Sequence, residues 1–453
     1  MRRARPAGVA RAMRARAARG VAWRPSAFAL PATGRAFASA VLSAALALTG
    51  AGCASAPPPE WAAVREVTPE FLLEQDARQP ALAADEHGRV ALTWATADSA
   101  GTDLWLSIST DGGDRFSPAL QVNVAAGGAV SFPESRPLAV FGPGGRLAVV
   151  WCEKRPGQPE ATDVLVRASG DGGVTLGPAV VVNDDVSDQR ATFHGFPALT
   201  FLPDGALLAV WMDERDQRRA PGSGEPTVGS LFYALSRDGG QNWSDNRMLT
   251  DRACPCCRAS AASDSLGRIA VAYRAAGGNL RDPALAISLD RGESFGLDTL
   301  FSADGWNLEG CPAVGPALTW GPGGGQYVWY TEAGAPGVYA APWTPELGRT
   351  GVRRPLTDGL LDASHPRAAS LGAATLISVE ARPRADSASR VLAVRALDGS
   401  GALTPWTFLG AGVENGWIAG VAPGAALACW TERHEGGSRV RLVQLAPRAP
   451  GRG

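Results

Sequence analysis

Lysine is all but missing from this chain: of 43 basic side chains only Lys154 is a lysine, and arginine supplies the rest. Cysteine is sparse as well, at seven in 453 residues, and histidine and methionine number only four each. No amphipathic 3.6-residue pattern of useful length appears after residue 70, which excludes a helical bundle. No apolar run approaches the ~20 residues that a membrane-spanning helix needs. Acidic side chains are absent between Arg2 and Arg35, where nine arginines lie. Setting those nine aside leaves 34 basic against 44 acidic residues, a net charge of −10 for the remainder. A domain that acidic should not seek nucleic acid or an anionic membrane surface.

What is present begins with an export pattern. After the arginines comes "FASAVLSAALALTGAGC", whose apolar part, Phe37 to Leu48, is 12 residues long. That length suits the apolar region of a signal peptide. The run ends in small residues and Cys53, and resembles a bacterial lipoprotein signal, although Leu48 stands five residues before the cysteine where the family prefers three. The resemblance implies cleavage after residue 52, lipidation of Cys53 and a protein facing the periplasm or cell exterior. "ASAPPPE" would then form a short, semi-rigid tether up to residue 60, since proline favours extended conformers. The membrane is reached only through that anchor.

The remaining chain is repetitive. "STDGGDRF" recurs as "SGDGGVTL", "SRDGGQNW" and "SLDRGESF", with Asp111, Asp171, Asp238 and Asp290 spaced by 60, 67 and 52 residues. Serine and aspartate side chains can bond nearby backbone amides, and glycine supplies a positive φ, so each copy predicts a tight hairpin turn. A second motif, strand–glycine turn–strand, occurs seven times, from "QPALAADEHGRVALTW" at 79–94 to "WIAGVAPGAALACW" at 417–430. Seven units of about 50 residues, each folding as a four-stranded sheet, point to an all-β propeller. The seventh unit lacks an obvious fourth strand, and "WAAVREVTP" at 61–69 is spare. Pairing the two would close the ring in a single domain spanning 61–447, with 448–453 a disordered tail. The S-x-D-x-G frame resembles the Asp-box, or bacterial neuraminidase repeat, of sialidases. Sialidases have six blades, so six is the alternative to seven. The four aspartates are read as structural.

Residues just before each blade's innermost strand should converge on one mouth of the central channel. They are Arg78, Arg136, His194, the Cys254–Arg258 cluster, Cys311, His365 with Arg367, and Glu414 with Trp417. Arg78, Arg136, Arg258, Arg367, Glu414 and Trp417 form a candidate ligand-binding set for a small ligand or an anionic glycan. A further ring of acids, Glu153, Asp213, Glu332 and Glu432, stands two residues after an aromatic and suggests blade-to-blade ion pairs or, alternatively, a ligand-facing ring of carboxylates. A sialidase needs three arginines, a Tyr–Glu pair and an acid/base carboxylate. The resemblance offers Arg78 for the first arginine and Asp98 or Asp103 for the acid, with Arg78 and Asp103 the catalytic candidates if the protein is a hydrolase. The second arginine has no local candidate, and Tyr330 with Glu332 is not the expected arrangement.

The cluster "CPCC" leaves three readings open. Export favours disulfides, with Cys254–Cys311 one sensible pair across adjacent blades. Cys254, Cys256, Cys257 and Cys311, with His194 and His365, would also suit copper or zinc. A free reactive thiol is the third. Cys152 and Cys429 read as buried fillers. The functional expectation is an exported, monomeric lipoprotein that binds a metal ion or an anionic glycan at the channel mouth without sialidase activity. An exo-sialidase-type hydrolase and a scaffold for envelope proteins are the alternatives.

Overall fold

A computed structural model describes residues 61–73, 76–186, 191–215, 228–321, 324–421 and 424–447. The export segment, Cys53, the tether and the 448–453 tail lie outside the described residues. Among the described residues no helix is long and apolar enough to cross a membrane.

Seven antiparallel sheets are laid down in chain order, and the glycine-turn hairpins account for the two inner strands of each. In blade 3 these are His194–Phe201 and Leu207–Asp213, and the second is buried along its whole length. A strand covered on both faces reads as a continuous apolar run, and "LLAVWMD" is such a run. The cores lie between blades: Val150 and Trp151 of blade 2 pack on separate sides, the former against Leu199 and Trp211 of blade 3, the latter against Leu104 and Leu106 of blade 1. Among the described residues helical structure is confined to two short 3-10 turns.

Ring closure follows the expected route. Trp61–Glu66 pairs antiparallel with the last strand, Gly437–Pro447, from Trp61 opposite Pro447 to Glu66 opposite Val443, with one register shift between Trp61 and Ala63. The seventh blade therefore holds both ends of the described chain, and the ring has seven blades, not six.

The S-x-D-x-G turns share one hydrogen-bond pattern. Ser109, Ser169, Ser236 and Ser288 Oγ lie 2.6–2.9 Å from Oδ1 of the aspartate two residues on. Each serine also accepts the N–H of the glycine four residues on at 2.7–2.8 Å. That glycine has no room for a side chain: a Cβ on Gly113 would come within 2.4 Å of Leu427 in the preceding blade. The turns thus stitch neighbouring blades together.

The acids of the second strands behave differently from the expected ion-pair ring. Trp151 Nε1 donates to Glu153 at 2.9 Å, Trp211 Nε1 to Asp213 at 2.8 Å, and Tyr330 Oη to Glu332 at 2.8 Å. Residues i and i+2 of a strand share a face, so each acid satisfies the buried polar tip of its own aromatic. Two of them also pair with arginine, Asp213 with Arg215 at 2.9 Å and Glu432 with Arg439 at 2.6 Å, each partner lying in the acid's own blade.

Candidate functional site

A repeated backbone device shapes the channel mouth. The first strands of blades 1, 3, 6 and 7 change register at a bulge, between Arg78 and Ala81, Gly195 and Ala198, Ser364 and Arg367, and Glu414 and Trp417. Within each bulge one non-glycine residue adopts a positive φ: Gln79, Phe196, His365 and Asn415, at 53–58°. A bulge re-aims the side chains that follow it. In blades 1 and 3 the next paired residue is alanine; in blades 6 and 7 it is Arg367 and Trp417.

Those two side chains meet Arg136, Arg258 and a residue that the sequence did not single out, Glu134. The Glu134 carboxylate, on the chain leading into blade 2, accepts from Arg367 Nη2 at 3.0 Å and from the Gly315 N–H at 2.8 Å. It also lies 3.4 Å from Arg258 Nε. One buried acid therefore ties together chain from blades 2, 4, 5 and 6. Arg136 donates to the carbonyls of Pro80, Pro133 and Asn415, and Arg258 to those of Pro316 and Pro366. Trp417 lies between Arg136 and Arg367, whose guanidinium carbons stand 5.1 and 4.5 Å from its ring.

Positive charge exceeds negative here. Burial, and then repulsion from Arg367, lower Arg136 to about 9 against the opposing pull of Glu134 and Glu380. Three guanidiniums face these two carboxylates, leaving one positive charge. Arg367 is 4 % exposed, and among the described residues its Nε and Nη1 have no hydrogen-bond partner. Arg258, Arg367 and Trp417 line a 160 Å³ cavity in the channel, walled otherwise by small and aliphatic residues such as Ala81, Leu138 and Leu199.

Arg78 stands apart, one-third exposed and paired with Asp76 at 2.5 Å. Glu414 pairs with Arg433 at 3.0 Å. Asp103 is occupied by the fold, accepting from Asn123 Nδ2, the Gly127 N–H and Gln121 Nε2 at 2.7, 2.8 and 3.2 Å. Asp163 with Asn183 repeats that arrangement in blade 2, at 2.9 Å. Asp98 closes the next turn by accepting from the Ala100 N–H. The Tyr330 phenol is pushed up by burial and by Glu332, away from the phenolate a nucleophile requires.

The histidines do not join the cysteines. His194 is fully buried in blade 3, with Nε2 3.3 Å from both Asp185 and Asp213 and Nδ1 on the Thr162 carbonyl. Burial alone would lower its pKa, but the two aspartates outweigh it and hold the imidazolium to about 9. His365 contacts Ser364 Oγ through Nδ1 at 2.9 Å. Repeat phase brings residues to one face; it does not set which way a side chain turns.

The cysteines do come together. The loop between Arg247–Ala253 and Ser260–Ser263 carries Cys254, Cys256 and Cys257, and Cys311 arrives from the segment before Ala317–Gly321. Cys256 and Cys311 form a disulfide, so the expected Cys254–Cys311 pairing is corrected by two positions. Cys254 and Cys257 are free thiols with sulfurs 3.1 Å apart. The sulfurs of Cys254, Cys256 and Cys311 all lie within 4.8 Å of one another, and among the described residues no histidine or carboxylate belongs to that group. Cys152 and Cys429 are buried fillers as expected, and burial pushes the Cys152 thiol up to about 12.

No family model and no curated protein matches the chain. Solved structures do align over most of it. A Hadza microbial sialidase is 16% identical, over 77% of this chain and 74% of its own, with a TM-score of 0.42. The GH93 α-L-arabinofuranosidase of Fusarium graminearum is 13% identical, over 84% and 96%, at 0.44. The polysaccharide lyase Uly1 is 12% identical, over 82% and 90%, at 0.46. At such identities a fold hosts unrelated chemistries, so function has to come from the site.

Proposed function

We propose that this protein is an exported, lipid-anchored propeller that binds an anionic ligand at the channel arginines and does not hydrolyse sialosides. The observation that carries the reading is Arg367: a buried guanidinium with two unpartnered nitrogens, in a cluster holding one excess positive charge. Leaving such donors unsatisfied is costly, and an acidic group beside them relieves both the hydrogen-bond and the charge deficit. The cavity, at 160 Å³, is smaller than the ~300–1,000 Å³ of ordinary small-molecule pockets. It accommodates the acid group of a ligand and not a whole sugar ring.

Hydrolysis is the weaker reading, because glycoside cleavage needs two carboxyl-type groups at a fixed separation and free to react. Asp103 is held by three donors and Tyr330 by Glu332. Isothermal titration with acetate and with N-acetylneuraminic acid, at constant ionic strength, tests the proposal. Saturable binding should occur in the intact protein and be lost in Arg367→Gln, while a fluorogenic sialoside is not turned over. Robust hydrolysis that disappears in Arg78→Ala and Asp103→Asn would overturn it.

A further inference from the structure

The thiol cluster plays no part in that anion site, and its geometry carries a separate activity. We propose that the four cysteines form a thiol–disulfide exchange centre, in which the buried Cys254/Cys257 dithiol and the outward-facing Cys256–Cys311 disulfide trade two electrons.

Three observations support it. The first is distance: Cys254 Sγ lies 3.7 Å from Cys256 Sγ, at the contact from which a thiolate attacks, and 3.1 Å from Cys257 Sγ. The second is the backbone that fixes these positions. The Cys254 N–H donates to the Arg274 carbonyl at 2.8 Å, and the Cys257 N–H turns back to the Cys254 carbonyl at 3.3 Å. Pro255 lies within this four-residue turn.

The third is charge. Arg274 and Arg281 are buried beside the loop, and among the described residues neither forms an ion pair. Arg274 donates to the carbonyls of Val314, Arg281 and Tyr330, and Arg281 to those of Gly278, Leu280 and Gly310. Two buried cations without a carboxylate favour a nearby thiolate. The Cys257 S–H donates to Cys254, and together with these arginines lowers the Cys254 thiol to about 7 despite its burial. Burial and the neighbouring Cys254 push Cys257 well up. The attacking and resolving thiols are thereby distinguished.

The exchange balances internally. Cys254 thiolate attacks Cys256 Sγ, the Cys254–Cys256 bond forms, and the Cys256–Cys311 bond breaks. Cys311, which is exposed, leaves as a thiolate and takes a proton from water. Cys257 then gives up its proton and attacks Cys254 Sγ, and Cys256 leaves as a thiolate. The products are a Cys254–Cys257 disulfide and a Cys256/Cys311 dithiol. Two electrons have moved from the buried pair to the surface pair with no outside reagent. The surface dithiol then reduces an accessible disulfide of another exported molecule: Cys311 attacks it, Cys256 resolves, and the Cys256–Cys311 bond re-forms as the substrate leaves as a dithiol.

Trypsin separates the two states of the full chain by connectivity. Cleavage at Arg252 and Arg258 releases 253–258, while Cys311 lies in the fragment between Arg291 and Arg349. After acid quenching and alkylation of free thiols, the Cys256–Cys311 state gives these two fragments cross-linked. The exchanged state gives them separate, with an internal disulfide in 253–258. With no disulfide added, the intact protein should show both states at a constant two free thiols among the four cysteines; oxidised glutathione should then take up those two electrons, leaving none of the four free, with a mixed disulfide trapped on Cys311. Cys254→Ser should lock the cross-linked form, and Cys257→Ser should accumulate Cys254–Cys256. The map of the unmutated protein decides the matter even if a variant misfolds. Cross-linked fragments alone under every redox buffer, or four reduced thiols holding near-stoichiometric copper or zinc, would overturn the proposal.

Discussion

Two clusters on one face of this ring bury arginines, and they use them in opposite ways. At the channel, Arg258 and Arg367 converge on Glu134, and their remaining donors go to backbone carbonyls or to nothing. At the loop between blades 3 and 4, Arg274 and Arg281 meet no acid among the described residues, and thiols stand beside them. The same residue type at the same level of the fold therefore supports anion capture in one place and a thiolate in the other. What differs is whether a carboxylate has already claimed the charge.

That contrast predicts the largest effect at Glu134. Replacing it by Gln removes the only carboxylate that contacts Arg258 and Arg367 among the described residues and strands two buried cations, which should cost about 3–5 kcal/mol in urea unfolding. A loss under ~1 kcal/mol would mean the channel arginines are held by carbonyls alone, and the contrast would fail.

Next comes the thiol cluster, where no acid is available to remove. Cys311→Ser opens a loop closed across 55 residues and should lower stability by about 2–4 kcal/mol. Dithiothreitol should have nearly the same effect on the intact protein and little on the variant.

His194 shares the repeat phase of both clusters and belongs to neither, so its titration gives a third point of comparison. Its pKa is raised, so its stabilisation is complete below the unfolded value near 6.5 and is lost as pH rises through about 9. Asp185 and Asp213 are lowered, so their share is present above the usual carboxylate range and is lost on acidification. The melting temperature should therefore decline between about pH 6.5 and 9. His194→Gln should flatten that decline without touching ligand binding.

The smallest effect concerns the turns. Gly112, Gly172 and Gly239 have φ of 77–79°, but the fourth copy puts Arg291 there at 64°. Arg291→Gly relieves left-handed strain and should gain about 0.5–1 kcal/mol, part of the ~1–2 kcal/mol strain being offset by glycine's larger unfolded entropy. A loss instead would show that the exposed Arg291–Asp204 pair outweighs backbone strain.

The architecture was readable because its information is local and repeated. Every blade announces itself with a glycine turn between two apolar runs, and the spare strand at 61–66 supplied the fourth strand that the seventh unit, ending at 437–447, lacked. The site was readable only as far as phase carries. Phase placed Arg136, Arg258, Arg367 and Trp417 together, and likewise the cysteines. It could not show that His194 turns into its own blade. Glu134, two residues before Arg136 in "PESRP", was legible in principle, as an acid inside a set of pre-strand arginines. Arg274 and Arg281 carried no such signal, because nothing in the sequence shows which arginines end up buried against carbonyls. The choice of Cys256 over Cys254 for the disulfide depends on a four-residue turn, a detail finer than any spacing rule.

The central claim is that Arg367 holds an anion. Crystals grown in bromide, with data collected at the bromine absorption edge, test it most directly. The account predicts an anomalous peak within hydrogen-bonding distance of Arg367 Nε or Nη1, absent from Arg367→Gln crystals. Ordered water at that position, with bromide found only on surface arginines, would contradict it.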